Sequence, residues 1–213
     1  MLPSFDLSDR VRQAAFGLLL TTRRPVEPES LAASLGLERR VLDPVLDNLA
    51  AAGWIDSDET GRVTGSQGLS LTAGPHQLGI GDATFRTWCA YDSLGIAAAL
   101  AADAAIETHC GECGELIEVT MEGGHPVGAE RARLWLADGG ADLRTDFCAP
   151  TVLLCSEAHA QAWGKSHSGQ GRALTLDEGA ALGGNAWAAC ARAARSLTPG
   201  DSAKSVLDPT TLG

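Results

Sequence analysis

The sequence predicts an α+β fold. A winged-helix-like three-helix module over residues 1–80 leads into a mixed α+β domain over 81–195, built on a small, mostly antiparallel sheet. Three observations carry this. Apolar residues recur at helical spacing in three runs before residue 53, and 54–80 mixes short apolar alternations with Gly, Thr and Ser, as a β-wing does. Beyond residue 103, short strand-like runs alternate with Ala-rich helical ones. Residues 196–213, with Pro199, Pro209 and three serines, form a tail expected to be loose.

The elements follow in order. Ser8 is placed to cap a first helix with Val11, Ala14, Ala15, Leu18 and Leu19 on one face, and Pro25 stops it. Pro28 opens a second helix, Glu29 to Leu35, which ends at Gly36. Glu38 to Ala52 is a third, with Val41, Val45, Leu46 and Leu49 inward. Asp82 to Ala102 reads as one long helix in which Trp88, Leu94 and Ile96 supply bulk. Residues 105–109 and 115–121 read as a strand pair, and Val127 to Leu136 as a further extended run. Leu143 to Cys148 leads into a strand at Thr151 to Cys155, because Pro150 forces Ala149 to be extended. Glu157 to Lys165 and Asp177 to Arg195 are helices, the latter capped by Thr175.

Charge narrows the function. The chain has 16 Lys and Arg against 27 Asp and Glu, a net charge of −11. Nucleic acid is therefore disfavoured as a partner. The expected recognition helix carries Arg39 and Arg40 but also Glu38, Asp43 and Asp47, which phosphate would repel. The first module is better read as packing than as DNA binding. The longest apolar stretch, Gly95 to Ala102, is too short for a bilayer, and the N-terminus has no signal architecture. No membrane partner and a cytoplasmic location are expected.

Six cysteines, at 89, 110, 113, 148, 155 and 190, are too few for a disulfide scaffold. In Trp88-Cys89-Ala90-Tyr91-Asp92, helical spacing would project a thiol and a carboxylate from one face, ready to exchange a proton. A buried Cys beside an exposed Asp is the plainer alternative. Cys110-Gly-Glu-Cys113-Gly resembles half a zinc knuckle, but no second Cys-x-x-Cys follows. His109, His125, His159 and His167 fit no standard spacing, so structural thiols are favoured over a metal there. Cys148 stands at the entry of an apolar strand, and Cys155 and Cys190 read most simply as core.

Three segments, FRTWCAYDSLGIAAAL, THCGECGELIEVT and LRTDFCAPTVLLCSEAHAQAW, together resemble the bacterial organomercurial lyase (alkylmercury lyase) family. The first looks like its Trp-Cys-Ala-x-Asp helix, and the third is similar to its Phe-Cys segment with a downstream Ser and Trp. The resemblance implies Cys89 and Cys148 as catalytic cysteines, Asp92 as the catalytic acid and Cys110 as a structural cysteine. Cys113 and Cys155 lie outside the pattern, and Ala149 stands where relatives often carry another Cys.

The implied activity is detoxifying protonolysis of a carbon–mercury bond to a hydrocarbon and Hg(II). Soft thiolates from Cys89 and Cys148 would hold the mercury, with Asp92 as a third candidate ligand. Asp92 would take a proton from a cysteine thiol and pass it to carbon. The implied partners are an organomercurial, small thiols that release Hg(II), and a mercuric reductase; no cofactor is expected. One alternative is a homologue turning the same Cys/Asp/Cys set on another substrate. Another is a non-enzymatic, metal-responsive winged-helix regulator, which the acidic recognition helix opposes.

Overall fold

Proline and glycine set the ends of the first helices. In the computed structural model, which describes residues 7–197, α1 spans Leu7–Thr22, α2 Pro28–Leu35 and α3 Arg39–Ala51. Pro28 opens α2 where its missing N–H costs nothing, and Gly36 closes it at φ 65°. α1 begins at Leu7, so Ser8 lies inside its first turn rather than at the cap. α3 buries Leu42 and Leu49, whereas Val41, expected inward, is 41% exposed. The inward stripe is centred on 42 and 49, two turns apart, and Val41 lies about 100° round from it.

The strands of a first sheet are β1 Ile55–Ser57, β2 Val63–Ser66, β3 Leu69–Ser70, β4 His76–Ile80, β5 Ala83–Thr87, β6 Ala104–His109, β7 Leu116–Glu122 and β8 His125–Val127. Every pairing is antiparallel, in the order β1-β2-β3-β5-β4-β6-β7-β8. The sheet is larger than the small one expected. It also runs through position 80 without a break, because β4 and β5 form a hairpin with Ile80 opposite Ala83.

β5 corrects the long helix expected from Asp82. Ala83, Phe85 and Thr87 are buried while Thr84 and Arg86 are exposed, which is the period of a strand. The helix α4, Ala90–Leu100, starts only after Cys89. The run expected from 127 to 136 is likewise two strands, β8 and β9 (Arg133–Ala137). β9 is the centre of a second antiparallel sheet, between β10 (Val152–Leu154) and β11 (Gly171–Leu174), a strand not anticipated.

Leu143–Cys148, expected to approach a strand, is a π-helical turn in which Asp142 accepts the Thr145 N–H at 2.8 Å. Ala149, expected to be extended before Pro150, is helical instead (φ −60°, ψ −44°), because its N–H donates to Arg144 O and carries the turn one residue further. α5 spans Glu157–Ser166. Thr175 caps the next helix as expected, with Glu178 closing a reciprocal capping box. The single helix expected over 177–195 is two, α6 (Leu176–Ala186) and α7 (Ala188–Leu197), divided at Trp187. Trp187 is held there by its indole N–H, which donates to Gln67 O at 2.7 Å. Ser196 and Leu197, expected in the tail, close α7; residues 198–213 lie outside the described residues.

α4 and α6 meet backbone to backbone. A Cβ on Gly183 would overlap the Gly95 backbone, and the Trp187 ring covers Gly95. This close crossing brings Trp187 edge-on to Tyr91 in the first turn of α4, with ring centroids 5.2 Å apart. Among the described residues, no helix is long and apolar enough to cross a membrane.

Candidate functional site

Cys89 is the N-cap of α4, with extended backbone (φ −142°, ψ 169°), and Asp92 is the third residue of the helix. The Cys89 N–H donates to Asp92 Oδ2 at 2.8 Å, and the Asp92 N–H is directed back at Cys89 Sγ. This is a capping box with a thiol where a hydroxyl usually stands. The pair therefore meets across a helix start rather than along a helix face, as the spacing had suggested. Neither group is exposed: Cys89 is fully buried and Asp92 is 4% exposed.

Cys148 arrives from the end of the π-helical turn. Its sulfur, the Cys89 sulfur and an Asp92 oxygen all lie within 4.8 Å of one another. The Ala90 N–H donates to Thr151 O at 3.2 Å, tying the start of α4 to the segment after Cys148. Asp92 and Cys148 line a cavity of about 270 Å³ whose walls include Trp54, Trp88, Phe147 and Trp187. Cys89, fully buried, does not line it.

Burial dominates the electrostatics. It raises the Asp92 carboxyl from 3.8 to about 6, against the opposing Cys89 N–H and the charge of Arg144. Burial likewise pushes the Cys89 thiol well above its ordinary value, aided by its hydrogen bond with Cys148 and the charge of Asp92. The site thus pairs a protonated thiol with a carboxyl poised to take up or release a proton near neutrality.

The family model for alkylmercury lyase matches residues 69–189. The chain belongs to the alkylmercury lyase family. It is by family an enzyme, a carbon–mercury lyase. An alkylmercury lyase of Streptomyces lividans is 31% identical over 153 residues, covering 70% of this chain and 69% of that protein. One of Bacillus cereus is 29% identical over 169 residues, covering 78% and 75%. A crystal structure of the mercury-bound form of MerB2 superposes with a TM-score of 0.78 at 24% identity, over 89% of this chain and 94% of that one. That likeness shows the shared mixed α+β fold.

Several residues around this candidate site carried no sequence signal. Gln67 and Gly68 join β2 to β3 at φ 52° and 84°, a two-residue turn with both residues left-handed. Gly68 packs so closely on Asp92 that a Cβ would overlap the carboxyl. Asp56 accepts from Trp88 Nε1 at 2.8 Å and from Arg144 Nη2 at 2.7 Å, while the Arg144 guanidinium lies 3.2 Å from the Trp88 ring centroid. Asn-Gly or Asp-Gly would have announced the turn; Gln-Gly does not. The Asp56–Arg144 pair joins residues far apart in sequence.

The remaining cysteines divide. Cys190 is 1% exposed on α7 and packs in the core, as expected. Cys155 is not core: it follows β10, half-buried, and its sulfur lies 3.8 Å from that of Cys113. Cys110, Cys113, Cys155 and His159 form a second cluster, which shares no residue with the first.

Proposed function

We propose that the chain cleaves carbon–mercury bonds by protonolysis, with Cys89 and Cys148 as the mercury-binding thiolates and Asp92 as the proton carrier. One observation carries this reading: two soft sulfur donors from separate segments, and a buried carboxyl, converge within 4.8 Å beside an apolar cavity. Thiolates hold Hg(II) far better than oxygen donors. The aromatic walls suit the alkyl or aryl group that leaves.

The substrate enters as R–Hg–X, with X a small thiolate. Cys148, which lines the cavity, displaces X, and its proton leaves with X as HX. Cys89 then binds the mercury, and its proton passes to Asp92, whose raised affinity for a proton suits it to accept. Sulfur donation builds electron density on carbon. Asp92 returns the proton to that carbon as the Hg–C bonding pair becomes the new C–H bond. The hydrocarbon departs, and Hg(II) stays on Cys89 and Cys148 until small thiols or a mercuric reductase collect it. No cofactor enters this scheme, and a cytoplasm that keeps thiols reduced suits it. We read α1–α3 with the β1–β2 hairpin as a winged-helix-like module retained for packing, since Trp54 lines the cavity.

The test is incubation with an aryl- or alkylmercury compound, following hydrocarbon and Hg(II) release. Asp92→Asn should capture the organomercurial yet fail to cleave it, and mass spectrometry should find the organic group retained on the protein. Release of hydrocarbon by Asp92→Asn at the parental rate would sink the assigned role.

A further inference from the structure

We propose that Cys110, Cys113, Cys155 and His159 bind one structural Zn(II), separate from the mercury site. Their ligand atoms all lie within 4.8 Å of one another. Two of the edges match a closed tetrahedron. With Zn–S of ~2.3 Å and Zn–N of ~2.0 Å, tetrahedral angles require roughly 3.8 Å between sulfurs and ~3.5 Å between sulfur and nitrogen. Cys113 Sγ lies 3.8 Å from Cys155 Sγ, and Cys110 Sγ lies 3.5 Å from His159 Nδ1. Cys155 Sγ approaches the same nitrogen at 3.1 Å, an edge that a bound ion would open slightly.

The backbone is shaped for the task. Cys110-Gly-Glu-Cys113-Gly turns between β6 and β7, with Gly114 at φ 74° and its N–H donating to Cys110 O at 2.8 Å. The Cys155 N–H points at Cys110 Sγ from 3.5 Å, as amides do around a metal thiolate. Gly111 packs against Val152 and Trp163, where a Cβ would meet Val152 Cγ2 at 2.7 Å, and its N–H donates to Leu153 O at 3.0 Å. The turn is thereby docked beside the end of β10. Ser156 caps α5 by accepting the His159 N–H at 3.2 Å, which sets His159 four residues from Cys155 on the same side of the junction.

Three thiolates and an imidazole select zinc over hard cations. Four protein ligands leave no open position, so the role is structural. The ion would fasten the β6–β7 hairpin of the larger sheet to β10 and α5 of the smaller. β10 follows directly on Thr151, the residue that ties the Cys148 segment to α4.

The experiment is metal analysis of the full chain, expressed with added zinc and no mercury and purified under reducing conditions. One zinc per chain is expected in the wild type and in Cys148→Ser, and none in Cys113→Ser or His159→Ala. Cobalt(II) added to the metal-free wild type should give tetrahedral thiolate absorption that Cys113→Ser lacks. A strong chelator should lower the wild-type melting temperature and leave that of Cys113→Ser unmoved. Cys113 is exposed, so its replacement tests the ligand without disturbing the core. The proposal is overturned if the reduced wild type takes up neither zinc nor cobalt. It is overturned equally if the set binds only Hg(II), if Cys113 and Cys155 are found as a disulfide after reducing purification, or if Cys113→Ser/Cys155→Ser keeps its zinc.

Discussion

The backbone N–H of Cys89 donates to Asp92 Oδ2 at 2.8 Å, and the Asp92 N–H is directed in return at Cys89 Sγ. Ser, Thr, Asp and Asn are the residues that cap helices well. A cysteine at this position gives up capping strength for a soft donor. The same contact fixes the carboxylate beside the sulfur, so thiol and proton carrier are held by one turn of backbone.

Cys89→Ser should therefore retain or raise the melting temperature, since a hydroxyl caps better than a thiol, while hydrocarbon release is abolished. Cys148→Ser should lose turnover as well, because a hydroxyl is rarely deprotonated and binds Hg(II) weakly. Near-parental turnover by either variant would contradict a two-thiolate mechanism.

Asp92 sets a stability cost that depends on pH. Its carboxyl is raised from 3.8 to about 6 in the fold, so ionising it there costs about 3 kcal/mol more than in the unfolded chain. The cost is absent below the unfolded value, where both states are protonated. It grows as pH rises and is complete above the folded value. Asp92→Asn should thus be more stable than the wild type at pH 7.5, by up to ~3 kcal/mol, and should show little difference at pH 4. Denaturant titrations at the two pH values check this. A gain of equal size at both would refute it.

Gly68→Ala introduces a Cβ at φ 84° directly against the Asp92 carboxyl. The left-handed backbone alone should cost about 1–2 kcal/mol. Displacing the proton carrier should lower turnover by on the order of 10²-fold. Calorimetry and steady-state kinetics separate the two effects; full activity with reduced stability would show that Asp92 tolerates the shift.

Asp56→Ala leaves Trp88 Nε1 and Arg144 Nη2 without their acceptor. A loss of about 1–3 kcal/mol is expected, together with a raised KM, since Trp88 walls the cavity. Asp82→Ala serves as the contrast. It breaks an exposed pair with Arg23 and should leave both melting temperature and kinetics unchanged.

Cys190→Ala, in the packed core of α7, should lower stability by about 1 kcal/mol and leave turnover as it is. A selective loss of turnover would mean that the wrong thiols have been assigned.

What the sequence determined by itself is local. Pro28 and Gly36 bound α2, Thr175 and Glu178 cap α6, and the alternation on either side of CGECG makes β6 and β7. Each signal acts within a few residues, so no knowledge of the rest of the chain is needed. The spacing in Trp88–Asp92 paired Cys89 with Asp92, and the resemblance added Cys148 and the roles of all three. Only the tertiary structure decided how such residues meet. Helical period could not show that Ala83–Thr87 pairs as a strand, because that depends on β3 and β4 lying alongside. The division at Trp187 depends on a distant carbonyl at Gln67. The approach of Gly68 to Asp92, and of Cys155 and His159 to Cys110 and Cys113, joins segments whose separation follows no motif spacing. Side-chain chemistry is written along the chain, but its combination in space is set by which surfaces pack, and packing is a property of the whole fold.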